Sequence, residues 1–325
     1  MNTQITKLYP APKYINIDGK IDQDPPVIEE VNLYQVNQAY ISTYGYIIKN
    51  AKILKETVSF RHRDSISFKN IVSFLFLKNK IKISIPALSI AHGWYDSYYH
   101  FTIESLPKLY LLRDFISRST LVFPKNIMKF HSEWFNILNV TNITFIDNNE
   151  IVYTPLAIST SFTSRDLNHH NIILPEFRNW VIDHIQNINS IKYDKIFIGR
   201  QNATRRKILN LEEVKETLTK LGYIYIEMED YSVVDQIKLF HNAKQIISVH
   251  GAALANMCFA SSYTKILDLI VAEFKQWCFL KMAIILNIDY DLFPCKGDNN
   301  NEAPGYQNII IDIKKLENRI NQWNQ

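Results

Sequence analysis

From about residue 195 onward the apolar positions follow a repeating rhythm. Short β-branched runs alternate with amphipathic stretches. The pattern predicts strands over Lys195–Ile198, Tyr223–Ile226 and Gln245–Val249, with helices over Leu211–Leu221, closed by Gly222, and Val233–Ala243. Strands alternating with helices of about 10–15 residues predict a parallel sheet covered on both faces. The first half is less regular. The first 60 residues are mixed and poorly periodic, and Asp22-Gln23-Asp24-Pro25-Pro26 reads as a loop. Two β-rich runs flank Lys78-Asn79-Lys80 and predict a hairpin over 71–85. A helix follows over Tyr99–Phe115, then strands at Ser119–Phe123, Ile143–Phe145 and Ala157–Thr160, with a helix at His131–Leu138. Phe162 to Pro175 is polar and rich in His and Asn, which marks a junction leading into a helix over Pro175–Ile188. Ile313, Leu316, Ile320 and Trp323 share one face of a final helix. The resulting division is 1–165, a junction and linker helix at 166–190, a second domain at 191–312 and a terminal helix at 313–325.

The length of 325 residues agrees with about two domains. A hydrophobic share of 47% is enough for a full core without disulfide or metal staples. The excess of 36 basic over 32 acidic residues is too small to imply nucleic acid. Cys258, Cys278 and Cys295 are odd in number and far apart, so neither a disulfide framework nor a zinc site is expected, and a reducing cytoplasm fits. The start opens no apolar signal-like run. The longest apolar runs fall short of the ~20 residues needed to cross a bilayer. The expected location is the cytoplasm, in solution or peripherally at the inner face of a membrane.

Three segments carry candidate chemistry. In Ile246 to Asn256 a buried strand delivers His250-Gly251-Ala252-Ala253 at its carboxyl end, where a following helix would offer N–H groups to an anion. A tight turn with a capping histidine explains the same residues. In Ile196 to Lys207 a strand delivers Gly199 and then Arg200, Arg205, Arg206 and Lys207, cations suited to phosphate oxygens, or simply a solvated loop. In Tyr98 to Lys108, His100 and Glu104 share a helix face. They could form an acid/base pair, supply two metal ligands, or merely bond each other.

Together, and in this order, these segments resemble glycosyltransferase family 61. Tyr98-Tyr99-His100-Phe101 through Glu104 to Leu106-Pro107 matches its Tyr-Tyr-His-Trp-x-x-Glu-x-Leu-Pro motif. Gly199-Arg200 with Arg205-Arg206 and Asn210 matches its Ser-Arg…Arg-Arg…Asn pattern, and His250 to Asn256 its His-Gly-Ala-Gly-Leu-Thr-Asn. Met228-Glu229, Ser232, Gln236 and Leu239-Phe240 fall between, and Ile266-Leu267-Asp268-Leu269 stands where the family has Val-Leu-Glu-Leu. The resemblance covers about Trp94 to Tyr290. Phe101, Ala253 and Ala255 depart from the pattern in place of Trp, Gly and Thr.

The resemblance implies an α/β protein of GT-B type: two Rossmann-like domains facing across a cleft, with a C-terminal helix returning to the first. It implies an inverting transfer from a nucleotide-sugar, a UDP-sugar foremost, to a glycan or lipid-linked acceptor in surface polysaccharide synthesis, with neither metal nor other cofactor. The donor residues would be Arg200, Asn202, Arg205, Arg206, Glu229, Ser232, Gln236, His250, Gly251, Ala252, Ala253 and Asn256. The base would come from Glu104, His100 or Asp96, in that order. The alternative is a non-catalytic nucleotide-sugar- or glycan-binding assembly subunit of the same fold. A dinucleotide-dependent oxidoreductase is disfavoured, since no Gly-x-Gly-x-x-Gly follows a strand. Asp289-Tyr290-Asp291 alternates like a strand rather than a metal motif, and His169-His170 reads as an exposed linker pair. Trp94, Tyr95, Tyr98 and Tyr99 fit sugar stacking and core packing equally.

Overall fold

The computed structural model describes residues 3–11, 30–58, 79–165, 167–299 and 301–323. The chain divides into two compact units, Met1–His184 and Ile185–Gln325.

The first unit is built on strands β1 (Thr3–Tyr9), β2 (Val31–Ser42), β3 (Ile47–Lys49), β4 (Lys52–Ile53), β5 (Asn79–Lys82), β6 (Ala87–Ser89), β7 (Thr120–Pro124), β8 (Ile143–Ile146) and β9 (Glu150–Thr160). The sheet runs β4-β3-β2-β9-β6-β7-β8, with β1 on β2 and β5 on β9. β6, β7, β8 and β9 are mutually parallel, while β2 runs antiparallel to β9. β2 escapes a periodicity reading for a local reason. Tyr34, Val36, Ala39 and Ile41 all enter one core, so the buried parity changes midway. The change falls at Gln38, whose φ is 52°, opposite Pro155. The expected hairpin over 71–85 is corrected: β5 pairs in parallel with β9 through Lys80↔Ile151 and Ile81↔Val152. Its proposed partner run, Ile71 to Leu77, lies outside the described residues, as does Asp22-Gln23-Asp24.

The helical segment after β6 is in three parts: α1 (Tyr98–His100), a π-helical turn (Phe101–Ser105) and α2 (Leu106–Leu111). α3 (Lys129–Ile137) follows β7. A small hairpin of β10 (Ser164–Arg165) and β11 (Asn168–His169) leads to α4 (Ile173–Asp183), which packs on α2. α4 therefore belongs to the first unit rather than to a linker, and the boundary falls at its end. His169 and His170 are buried, not exposed. His169 Nε2 lies 3.1 Å from the Tyr99 hydroxyl, and His170 Nδ1 accepts from the Ile172 and Ile173 N–H groups at the start of α4.

The second unit contains β12 (Lys195–Ile198), α5 (Leu211–Lys220), β13 (Ile224–Ile226), α6 (Val233–Asn242), β14 (Gln245–Val249), a 3₁₀ helix (Ala252–Phe259), β15 (Lys265–Val271), α7 (Cys278–Leu286), β16 (Asp289–Gly297), β17 (Ile309–Ile310) and α8 (Ile313–Trp323). The sheet order is β13-β12-β14-β15-β16-β17, parallel except for β17. Within it the five parallel strands follow the doubly wound order 2-1-3-4-5. As predicted, Gly222 closes α5 with a φ of 85°.

The terminal helix exists as predicted but not where the resemblance placed it. Leu316 and Ile320 are fully buried with Val214 and Leu218 in the core of the second unit. α8 packs on α5 and belongs to the second unit. The reason is its apolar stripe, which completes a core built from β12, β14 and β15.

Candidate active site

In a doubly wound sheet, ligands bind at the carboxyl ends of the strands where the strand order reverses. Here the reversal lies between β12 and β14. β12 ends at Gly199-Arg200 and β14 at His250-Gly251, so two of the three candidate segments meet there.

A Cβ at Gly251 would sit 2.1 Å from Arg200 Nη1. The glycine is therefore required for space, because its backbone is extended (φ 178°) and imposes no special conformation. Arg200 Nε donates to the Arg205 carbonyl at 3.1 Å, which holds the guanidinium over the turn. Arg205 lies over the Tyr306 ring at 4.6 Å and Arg206 over Phe274 at 5.7 Å. None of the three makes an ion pair among the described residues. Burial, then the other two arginines, pushes Arg206 down to about 10, so it remains a cation at neutral pH. Its φ of 60° places a bulky side chain in the left-handed region, a strained state that persists where surroundings or function demand it. Its Nε is buried without a hydrogen bond. We expect Gly251→Ala to fold normally, since the displaced group is the end of a long side chain, and to weaken donor binding; isothermal titration with UDP checks this.

His250 is held from behind. Its Nδ1 lies 2.6 Å from Asp268 Oδ2, and the Tyr290 hydroxyl donates to the same oxygen at 2.5 Å. Phe274 and Phe279 meet the imidazole edge-on, with centroids 5.3 and 5.1 Å away. Asp268 is fully buried. Burial, then the adjacent carboxylate, pushes the Tyr290 phenol well above its ordinary value, so it stays a donor. Tyr290 thus lies on strand β16, as its alternation predicted.

Other predicted donor residues also make hydrogen bonds within the second unit. Ser232 caps α6, accepting from Asp235 N at 3.2 Å. Gln236 Nε2 donates to the Met228 and Tyr231 carbonyls, and its Oε1 accepts from Asn256 Nδ2 at 3.0 Å. Asn256 also donates to the Ala253 carbonyl. The polar atoms of Gln236 and Asn256 tie the α6 start to the 3₁₀ helix, and Ser232 caps α6. Ala252 and Ala253 are half-buried in the turn, Asn202 is exposed, and Glu229 is exposed near Arg200.

In the first unit, His100 Nδ1 lies 2.9 Å from Glu104 Oε2, across the π-helical turn. Such turns recur at functional sites. His92 Nε2 lies 3.6 Å from the same oxygen. Burial raises the Glu104 carboxyl, but the hydrogen bond from His100 and the fields of His100, His92 and His169 outweigh it and hold Glu104 below its usual value. Burial pushes His92 down to about 4. Trp94 covers the His100 ring at 4.9 Å, whereas Tyr95, Tyr98 and Tyr99 pack against Phe123, Phe130 and His169. Asp96 is exposed and bonds neither His100 nor Glu104. Among the described residues no three His, Cys, Asp or Glu side chains gather as a metal-binding group. Among the described residues no helix is long and apolar enough to cross a membrane.

Lys108, one turn beyond Glu104, is fully buried. Among the described residues its Nζ meets the Thr57 carbonyl at 3.4 Å and the Phe162 ring at 4.2 Å. Burial pushes it from 10.5 down to about 7. Between those values the unfolded chain binds a proton that the folded one releases, so stability rises with pH across that window. Lys108→Met should therefore stabilise the fold by about 4 kcal/mol at neutral pH. The gain should shrink to about 2 kcal/mol near pH 9. Denaturant unfolding at the two pH values checks the sign, and a pH-independent gain would contradict it.

Sequence reasoning missed His92, Lys108, Asp268 and Tyr290 as members of these clusters. The signal for Asp268 was its place in the Val-Leu-Glu-Leu-like stretch.

EGF domain-specific O-linked N-acetylglucosamine transferase of Xenopus laevis is 27% identical over 132 residues, which are 36% of this chain and 25% of that protein. Its counterparts in Canis lupus familiaris and Mus musculus are 26% and 27% identical over 137 residues, 38% of this chain and 26% of each. The chain thus matches about a quarter of the length of these relatives. The family profile described as Glycosyltransferase 61 matches residues 98–267, more than half of the chain and all three segments. The chain belongs to glycosyltransferase family 61.

Proposed function

We propose that the protein is an inverting glycosyltransferase of GT-B type that takes a sugar from a nucleotide-sugar, a UDP-sugar foremost. The second unit binds the donor and the first activates the acceptor. The observation that carries this reading is the cluster of Arg200, Arg205 and Arg206 at the reversal point, none of them in an ion pair within 4 Å among the described residues. Cations left without a contacting carboxylate at that place suit a diphosphate and supply the charge that a divalent ion would otherwise bring.

The acceptor hydroxyl is deprotonated at His100 Nε2, whose Nδ1 side is held by Glu104. The order of the base candidates thus becomes His100 with Glu104 behind it, because Glu104 is buried and bonded to the ring. The acceptor oxygen bonds to the anomeric carbon as the bond to the β-phosphate oxygen breaks, and that oxygen keeps the electron pair.

The names of the relatives make N-acetylglucosamine the first sugar to test. The acceptor we favour is a glycan or lipid-linked glycan of surface polysaccharide synthesis, reached in the cytoplasm or at the inner face of a membrane. A protein hydroxyl is the second reading, because those relatives are named for EGF domains. The test is calorimetric titration with UDP, GDP and CMP, followed by nucleotide release from the matching sugar donors in EDTA. Binding with release supports the transferase. Binding without release from any donor and acceptor supports the non-catalytic subunit, and no binding overturns the donor site.

A further inference from the structure

His250 is presented differently from the other residues of its turn. Its Nδ1 faces the fully buried Asp268, whose Oδ2 also accepts from Tyr290. Its Nε2 makes no hydrogen bond among the described residues. The ring is clamped by Phe274 and Phe279, so it cannot turn away from the carboxylate without losing both contacts. Asp268 has no Lys or Arg partner within 4 Å among the described residues; its one ion pair is with His250. A buried carboxylate persists only beside a positive or strongly donating neighbour. A carboxylate on one nitrogen fixes the tautomer and leaves the other nitrogen to the reacting group. The titratable groups around this pair are Tyr290 and Cys295 on β16, Cys278 on α7 and Arg206 in the loop after β12.

We propose that His250 is the catalytic group at the leaving diphosphate, donating Nε2–H to the β-phosphate oxygen, and that Asp268 and Tyr290 are the positioning residues that hold it there. This rests on the donor site proposed above. An imidazole between a carboxylate and a phosphate is stabilised with a proton on each nitrogen, one donated to either anion. As the bond to the anomeric carbon breaks, the electron pair moves onto the phosphate oxygen, and the hydrogen bond from Nε2–H to that oxygen strengthens as the charge develops. The chain would then contain two carboxylate–histidine pairs with opposite duties. His100 with Glu104 removes the acceptor proton, and His250 with Asp268 steadies the departing oxygen.

The test combines ¹⁵N NMR of labelled histidine, assigned with His250→Gln, and donor-turnover kinetics of wild type, Asp268→Asn and Tyr290→Phe. In the free wild-type protein His250 should carry its hydrogen on Nδ1, and with UDP on both nitrogens. Asp268→Asn should leave the ring neutral with UDP bound, with an Nε2–H but no imidazolium charge, and lower kcat by about 10²-fold, with donor KM within about threefold. Tyr290→Phe, which keeps the carboxylate and the packing, should fold and give a smaller loss of kcat in the same direction. UDP binding that leaves the His250 nitrogens unchanged would overturn the proposal alone, as would an unaltered kcat in folded Tyr290→Phe and Asp268→Asn. Failure of UDP to bind the wild-type protein would overturn the donor site and this proposal with it.

Discussion

Replacing His100 with Gln is expected to lower kcat by about 10²- to 10⁴-fold, the usual contribution of a positioned base. Donor KM and melting temperature should hold, because His100 is half-buried beside Trp94 and lies in the unit that does not carry the arginines. Glu104→Gln should also fold, since an amide fills the same space, but it removes the charge that steadies a protonated ring. Its kcat should fall by less than that of His100→Gln. The double variant should be no worse than His100→Gln, because two residues acting as one unit are not additive. A steady-state comparison of the three variants settles the order. If Glu104→Gln alone abolished turnover while His100→Gln kept it, the carboxylate itself would be the base.

The second large effect is expected at Arg206. Removing a charge-assisted contact to phosphate weakens binding by about 1.5–3 kcal/mol, or about 10- to 150-fold in donor affinity. Arg206→Ala should show this in titration with UDP. Arg206→Gly should lose the same affinity yet melt higher, because glycine occupies a φ of 60° without strain. A variant that is more stable and less active is the signature of strain kept for function. Unchanged affinity in both would place the phosphates elsewhere.

The second unit was largely legible because its strands are short, apolar and separated by helices with clear ends. Gly222 and the strand–turn of His250-Gly251 were readable as sequence. The first unit was not, because local chemistry works against periodicity there. The parity of β2 changes at Gln38 opposite Pro155, and β5 finds its partner 71 residues away in β9. The candidate site was legible where motif and strand end coincide, as at Arg200 and Gly251. It was not legible where polar residues serve one another: nothing in the order of Ser232, Gln236 and Asn256 shows that their hydrogen bonds close a scaffold. Asp268 and Tyr290 reach His250 only through parallel pairing of β14, β15 and β16.

The position of α8 has a consequence for how such a chain can diversify. Because α8 closes the core of its own unit, each unit is one continuous stretch of sequence that meets the other at His184–Ile185. A single genetic crossover near codon 184 would therefore exchange Arg200, Arg205, Arg206 and His250 together while leaving His100 and Glu104 untouched. Under the proposed division of labour, a chimaera of two family members joined at that codon is expected to take its sugar from one parent and its acceptor from the other.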